Sequence, residues 1–489
     1  MTQIHLDFRL GVVSGHGLER RYQQELVHSL DHDRRHDITF SFIQRPSAAI
    51  NRVIGSRTED LPSSPDLAHQ AGVNCLTLGH HDGRFLASGG ADAAIRIWDL
   101  ESPPTHRASA DTRRPSASLS RSDPASHTHA ITSISIYPFD PVPTTLLTTS
   151  HDKSLKVISI GPGALTPVHT FSLDHSPYTH SLSTLPDSSP LVAVGTAHPA
   201  VRLLDLRSGL STHALSGHNG AVYSVAWSPK QSHVLSSGAS DGRVLFFDIR
   251  RANAAFASLD LDDAIGVIGE DGMTGAGARG QLLDWNARAH NGAVTGVLWN
   301  PSGDKIVSAG HDQRLRVWDA ATGRNDLVHF GPRVRNERIG ELKPLISPLG
   351  AGLPGRELLF WPNDDGKGEI FMHHLREGDL LRILRTRGTI RTPNVKQGSV
   401  ARLTSGGRIN AMVWRSNAAS GEGLEMYSAH GDGRICTWIP ALKGDAGEDE
   451  DDGGTLAGVE DEAESKRKRK RDLIGDLVEG LTKRPITFS

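Results

Sequence analysis

The stretch His290–Gly323 reads HNGAVTGVLWNPSGDKIVSAGHDQRLRVWDAATG. It holds three short runs rich in β-branched and alternating apolar residues, VTGVLW, KIVSAG and RLRVWD, separated by NPSGD and HDQ. Such runs are strands with a buried face, and the Pro, Gly, Asn and Asp between them are turn chemistry. The stretch is also a copy. HNGAVYSVAWSPKQSHVLSSGASDGRVLFFDIR from His218 matches it almost residue for residue, HQAGVNCLTLGHHDGRFLASGGADAAIRIWDL repeats it from His69, and HTHAITSISIYPFDPVPTTLLTTSHDKSLKVISI repeats it more loosely from His127. A β unit that recurs cannot bury its face alone, so the copies must pack on one another.

These copies resemble the WD40 family, whose unit is a four-stranded blade of ~40–45 residues in a closed ring. The implied fold is all-β, a seven-bladed propeller, with blades near 67–100, 127–160, 175–207, 218–250, 290–320, 356–386 and 408–440. The sixth, LLFWPNDDGKGEIFMHHLREGDLL, keeps only the strand–turn–strand rhythm. Closure protects sheet edges, and a strand within HDITFSF near the N-terminus is expected to complete the last blade. The resemblance places His290, Ser308, Asp312 and Trp318 in the family's buried tetrad, and likewise His69, Ser88, Asp92 and Trp98. His218, Ser237 and Asp241, and Ser428, Asp432 and Trp438, occupy the same spacings in blades four and seven. The aspartate orients the histidine, which reaches through the serine to the indole N–H, so polar groups buried in the blade are paired. A Ser–His–Asp set also suits hydrolysis, but one that recurs blade after blade reads as architecture, and no enzyme is expected.

With 489 residues, 37% hydrophobic and 51 glycines, the composition is that of a globular, turn-rich chain. No apolar run approaches the ~20 residues that cross a bilayer, and MTQIHLDFRLGVV lacks the basic-then-apolar layout of a secretory signal, so an intracellular protein without membrane contact is expected. Cys75 and Cys436 belong to no paired spacing and read as small strand residues, with no metal or cofactor implied. A net charge of −3 offers no broad footprint for direct DNA binding.

Three regions stand outside the repeats. Residues 1–45 contain GHGLERRYQQELVHSLDHDRRHDI, where Leu18, Tyr22, Leu26 and Leu30 share one helical face, either a packing cap or a docking element ahead of the 46–440 propeller. Insertions near 101–126 (Ser, Pro and Arg-rich) and 252–289 (Gly-rich) read as mobile loops. The tail, 441–489, is acidic and then carries Lys466, Arg467, Lys468, Arg469, Lys470 and Arg471, the pattern of a nuclear import signal for an import receptor.

LVAVGTAHPAVRLLDLRSG at Leu191, AVYSVAWSPKQSHVLSSGASDGRVLFFDIRRA at Ala221 and AHNGAVTGVLWNPSGDKIVSAGHDQRLRVWDAATGRNDLVHFG at Ala289 are similar to one WD40 group, the Cockayne syndrome group A family of ubiquitin-ligase substrate receptors. That resemblance implies docking on the damaged-DNA-binding adaptor of a cullin–RING ligase. The docking residues would be Asp248 and Arg250 of FFDIR, with Asp205 and Arg207 of LLDLR as a weaker copy, and the N-terminal helix. It also implies stalled RNA polymerase II and the Cockayne syndrome group B repair ATPase as clients, in the nucleus. An arginine at a strand end can contact a partner or brace the next blade, and the residues leave both open. The competing class is a nuclear WD40 scaffold in RNA processing or ribosome assembly.

Overall fold

Second strands of the repeats are buried over all or nearly all of their length, Val234–Ala239 (VLSSGA) throughout and Phe85–Gly90 and Lys305–Gly310 beyond their first residue, because each lies between neighbouring blades. Small residues are required there: a Cβ on Gly238 would stand 2.6 Å from Val294 Cγ1 of the next blade, and one on Gly89 would stand 2.7 Å from Ile131 Cγ2. Outer strands face solvent, and Leu210–Leu215 is exposed except at its last two residues. The computed structural model describes residues 23–32, 39–41, 67–81, 83–101, 112–251, 255–261, 266–267, 287–349, 351, 355–386, 407–415 and 424–440. They form an all-β, seven-bladed propeller in which each blade is an antiparallel meander from inner to outer strand.

Blade one comprises Val73–Leu78, Phe85–Gly90, Ile95–Asp99 and Pro115–Leu119. Its outer strand comes from the expected mobile insertion 101–126. PSASL is polar because it is an edge: Ala117 and Leu119 turn inward while the serines face out. The 252–289 insertion likewise supplies Ala257–Ser258, paired with Leu245 and Phe246, and then Gly266–Val267. Residues 102–111 and 268–286 lie outside the described residues. Blade six has the strands Leu358–Pro362, Glu369–His374 and Leu380–Arg385, but its inner strand is only Leu345–Ile346.

Ring closure falls earlier in the chain than expected. Leu30–His32 pairs antiparallel with Trp438–Pro440 and becomes the fourth strand of blade seven. Thr39–Phe40, from HDITFSF, instead pairs in parallel with Thr112–Arg113, and Phe40 packs edge-on against Trp98 at 5.1 Å. The helical turn ahead of the closing strand spans residues 23–28. Leu26 and Leu30 are therefore not a free docking face. Leu26 is buried, and Val27 and Leu30 are fully buried, in a cluster with Leu358, Phe360 and Trp438 from blades six and seven. The periodicity was legible, but four-residue spacing does not reveal that the helix ends before Leu30. Leu18 and Tyr22 lie outside the described residues, as do 442–489 with the basic run.

Candidate functional site

Each complete tetrad is assembled by the turn between a blade's second and third strands. In blade five, His290 Nδ1 lies 2.9 Å from Asp312 Oδ1, His290 Nε2 lies 2.7 Å from Ser308 Oγ, and Trp318 Nε1–H donates to Ser308 Oγ at 2.8 Å. Blade one repeats this with His69–Asp92 at 3.0 Å, His69–Ser88 at 2.8 Å and Trp98 to Ser88 at 2.9 Å. Blade four keeps His218–Asp241 at 3.3 Å and His218–Ser237 at 2.7 Å, with buried Phe247 in the tryptophan's place. These histidines and serines are buried, so their Ser–His–Asp sets pair polar groups inside the blades.

Two features escaped the sequence reading. Blade two has a working set, His127–Asp152 at 2.8 Å and His127–Thr148 at 2.9 Å. Threonine in the serine's position disguised it, although HDK after TTS carried the signal. Arg96 and Arg316, two residues before the tetrad tryptophans, ion-pair with Asp92 (3.3 Å) and Asp312 (2.7 Å). Blade seven departs from expectation. Trp438 donates to Ser428 at 2.8 Å, but the imidazole at Ser428 is that of His430, from the same strand, at 2.9 Å. Asp432 accepts from the backbone N–H of Arg434.

The electrostatics follow these partners. Burial opposes ionisation of Asp312, yet its bonds with His290 and Arg316 outweigh that and hold the carboxyl well below the usual range; His69 and Arg96 do the same for Asp92. Burial lowers His69 and His290. Asp432 is shifted the other way, raised by burial against weaker support from Arg434.

The rim residues are placed differently. Asp248 closes blade four's third strand, and the Arg250 guanidinium folds back on it with two bonds, Nε to Oδ1 at 3.0 Å and NH2 to Oδ2 at 2.8 Å, while the Arg250 side chain stays 65% exposed. Arg251 Nε lies 3.7 Å from the same carboxylate. Hydrogen bonding from Arg250 is the main cause that lowers the Asp248 pKa. Bonds from Arg250 thus remain within its own blade, and a preformed, charge-assisted pair projects from the rim. In blade three the Asp205 side chain accepts from the backbone N–H of Arg207 at 2.9 Å, and Arg207 is exposed.

The channel is occupied by a segment that no repeat pattern anticipates. Residues 334–344 cross from blade five toward the inner strand of blade six. Thr179 Oγ1 and Ser224 Oγ, on the inner strands of blades three and four, donate to Glu341 Oε1 at 2.7 and 3.2 Å, while Arg338 donates to Asn410 Oδ1 of blade seven at 3.0 Å. A cavity of about 410 Å³ remains beside it, lined in part by His151, His180, Arg338 and Lys343. Among the described residues no cluster of three or more His, Cys, Asp or Glu could hold a metal ion, and no helix is long and apolar enough to cross a membrane. Cys75 is buried and Cys436 partly so, and the two are not joined in a disulfide.

Comparison with known proteins agrees with this architecture. The WD40 family (WD domain, G-beta repeat) matches residues 64–99, 120–159, 209–248 and 285–319. The WD repeat-containing protein ATCSA-1 of Arabidopsis thaliana is 29% identical over 314 residues, covering 54% of this chain and 69% of that protein. The ribosome biogenesis protein ytm1 of Aspergillus clavatus is 29% identical over 274 residues, covering 51% of this chain and 52% of that protein. The histone acetyltransferase type B subunit 2 of Debaryomyces hansenii is 32% identical over 163 residues, covering 31% and 35%. The chain thus spans about half or less of the length of the last two.

Proposed function

The chain is a WD40 repeat protein, and from that premise we propose that it is a non-enzymatic substrate receptor of a cullin–RING ubiquitin ligase acting in transcription-coupled repair. The observation that carries this reading is the Asp248–Arg250 pair. FFDIR supplies the aspartate and arginine that the resemblance assigns to docking, and the guanidinium is exposed and held in one orientation by its bidentate bond. A pre-oriented cation loses less entropy on meeting an acidic surface of the damaged-DNA-binding adaptor. Similarity to ATCSA-1, a name in keeping with the Cockayne syndrome group A resemblance, supports the same reading. The opposite face of the ring would then present stalled RNA polymerase II and the group B repair ATPase. The ytm1 relatives favour a second reading, a nuclear scaffold in ribosome assembly without ligase attachment. Purification of the tagged protein after transcription-blocking damage, read by mass spectrometry, separates the two. Adaptor and cullin subunits support the first; ribosome-assembly factors without the adaptor support the second.

On the ligase reading, Arg250→Ala weakens adaptor binding while the thermal midpoint stays close to that of the parent protein. The deficit shrinks as salt rises, because a rim charge acts through screened attraction. A salt series of binding measurements beside thermal melts checks this. A large fall in midpoint would instead make the arginine a structural brace. Both readings place the protein in the nucleus. Replacing Lys466 to Arg471 with serine is expected to shift a fluorescent fusion toward the cytoplasm with no change in melting; unchanged nuclear accumulation would assign import to a partner.

A further inference from the structure

Blade five is the one blade for which the described residues supply three strands rather than four, so its third strand, Arg314–Asp319, is an open edge. The chain does begin a fourth. Asp319 N–H donates to Arg324 O at 2.8 Å, Asp326 N–H donates to Val317 O at 2.9 Å, and Trp318 faces Asn325 across an antiparallel bridge. Pairing stops at Leu327, which has a φ of 55° and a side chain left 73% exposed. The other non-glycine residues in this left-handed region, Ala93, Lys153 and Gln313, each follow a tetrad aspartate in a tight turn. Leu327 follows none, and its conformation turns the chain off the edge.

Beyond Leu327 the chain returns to the core at Phe330 and Val334, which are buried with Leu315 and Val317. Between it and the strand lies a cavity of about 240 Å³ lined by Leu261, Arg314, Leu315, Val328 and Phe330 among others. Outward-facing backbone groups alternate along a strand. Since Val317 and Asp319 are used by the aborted strand, the Leu315 N–H and C=O are the next pair to face this cavity. Arg314 and His329 line it and are exposed, and Arg333 and Arg335, further along the same segment, are exposed as well. Among the described residues, no carboxylate lies within ion-pair distance of these three arginines.

We propose that this edge is a docking groove for a short extended peptide of a partner protein, alternating apolar with acidic residues, that adds to blade five as its antiparallel fourth strand. Backbone donors and acceptors along a strand edge are matched by another strand, the apolar part of the cavity at Leu261, Leu315, Val328 and Phe330 takes alternate side chains, and Arg314 and His329 in its lining select acidic ones. The proposal does not depend on the adaptor reading, because Arg250 belongs to blade four.

The test is selection of short phage-displayed peptides on the full-length protein, followed by fluorescence anisotropy with synthetic copies of the selected sequences. Peptides of alternating apolar and acidic residues are expected, and Arg314→Glu should weaken them by about 10-fold or more. N-methylation of the peptide amide that meets the Leu315 carbonyl should abolish binding, while N-methylation of the next residue, whose amide faces away, should leave it within about two-fold. Hydrogen exchange should show the Leu315 amide protected only when peptide is bound. Peptides that bind Arg314→Glu as well as the parent, or that tolerate both methylations, would overturn the proposal. So would Leu315 protection without peptide that is lost on deleting residues 268–286, which would give the edge to the chain's own segment.

Discussion

Removal of residues 1–35 is expected to cost the propeller its cooperative melting transition, or to lower the midpoint sharply. The segment carries the closing strand Leu30–His32 and two fully buried side chains, Val27 and Leu30. Burying an aliphatic side chain is worth roughly 1.5–3 kcal/mol, so the two together contribute about 3–6 kcal/mol before strand pairing is counted. A domain margin is about 5–15 kcal/mol. Arg382 also loses its acceptor at the Leu30 carbonyl (2.8 Å), and the edge at Trp438–Pro440 opens to solvent, an invitation to aggregation. Circular dichroism melts and size-exclusion chromatography of the shortened chain check this. A monomer melting with the parent would show that blade seven closes without its fourth strand. Loss of adaptor binding on truncation would therefore report a damaged ring before it reported a lost docking helix.

Asp312→Ala is expected to destabilise the ring by about 3 kcal/mol, because it leaves two buried groups without their partner. His290 loses its orienting bond, and the Arg316 guanidinium loses its counter-ion. The pH dependence gives the same sign from both sides of the tetrad. The Asp312 carboxyl is held below its unfolded value near 3.9, so its contribution is complete above that value and is lost as pH falls through the folded one. His290 is lowered from about 6.5, so below that pH the unfolded chain takes up a proton that the fold refuses, and stability falls again. Chemical denaturation across pH 3 to 8 should show the parent weakening toward acid in both steps. Asp312→Ala should keep the histidine step and show a shallower loss below about pH 4, shallower by one carboxylate's share, because Asp92 and Asp152 are held low in the same way and still titrate there. Equal acid slopes in the two proteins would show that the carboxylate carries no net stabilisation.

The tetrads were readable because a repeat states the same solution several times. His69, Ser88, Asp92 and Trp98 recur at the spacings of His290, Ser308, Asp312 and Trp318, and their geometry follows from strand pairing within one blade. Where a single residue changed, as with Thr148 in blade two, the chemistry survived but the pattern blurred. In blade seven, Ser428 and Trp438 formed their bond as the spacing implied, yet the imidazole that meets Ser428 is that of His430 on the same strand. The rim pair Asp248–Arg250 was visible as residue types; that the guanidinium folds back on its own blade was not.

Strand identity, blade order and the buried polar sets were determined by the sequence itself, since alternation and turn chemistry act over a few residues and repetition makes them unambiguous. Tertiary structure decided what depends on meeting partners far along the chain. Leu30 became a closing strand because Trp438–Pro440, about four hundred residues later, offers an unpaired edge. The polar stretch Pro115–Leu119 became a strand because Ile95–Trp98 lay open beside it. Glu341 sits in the channel where Thr179 and Ser224, on two other blades, donate to its carboxylate. None of these choices is written in local periodicity, because a strand edge or a buried charge selects its partner by position in space.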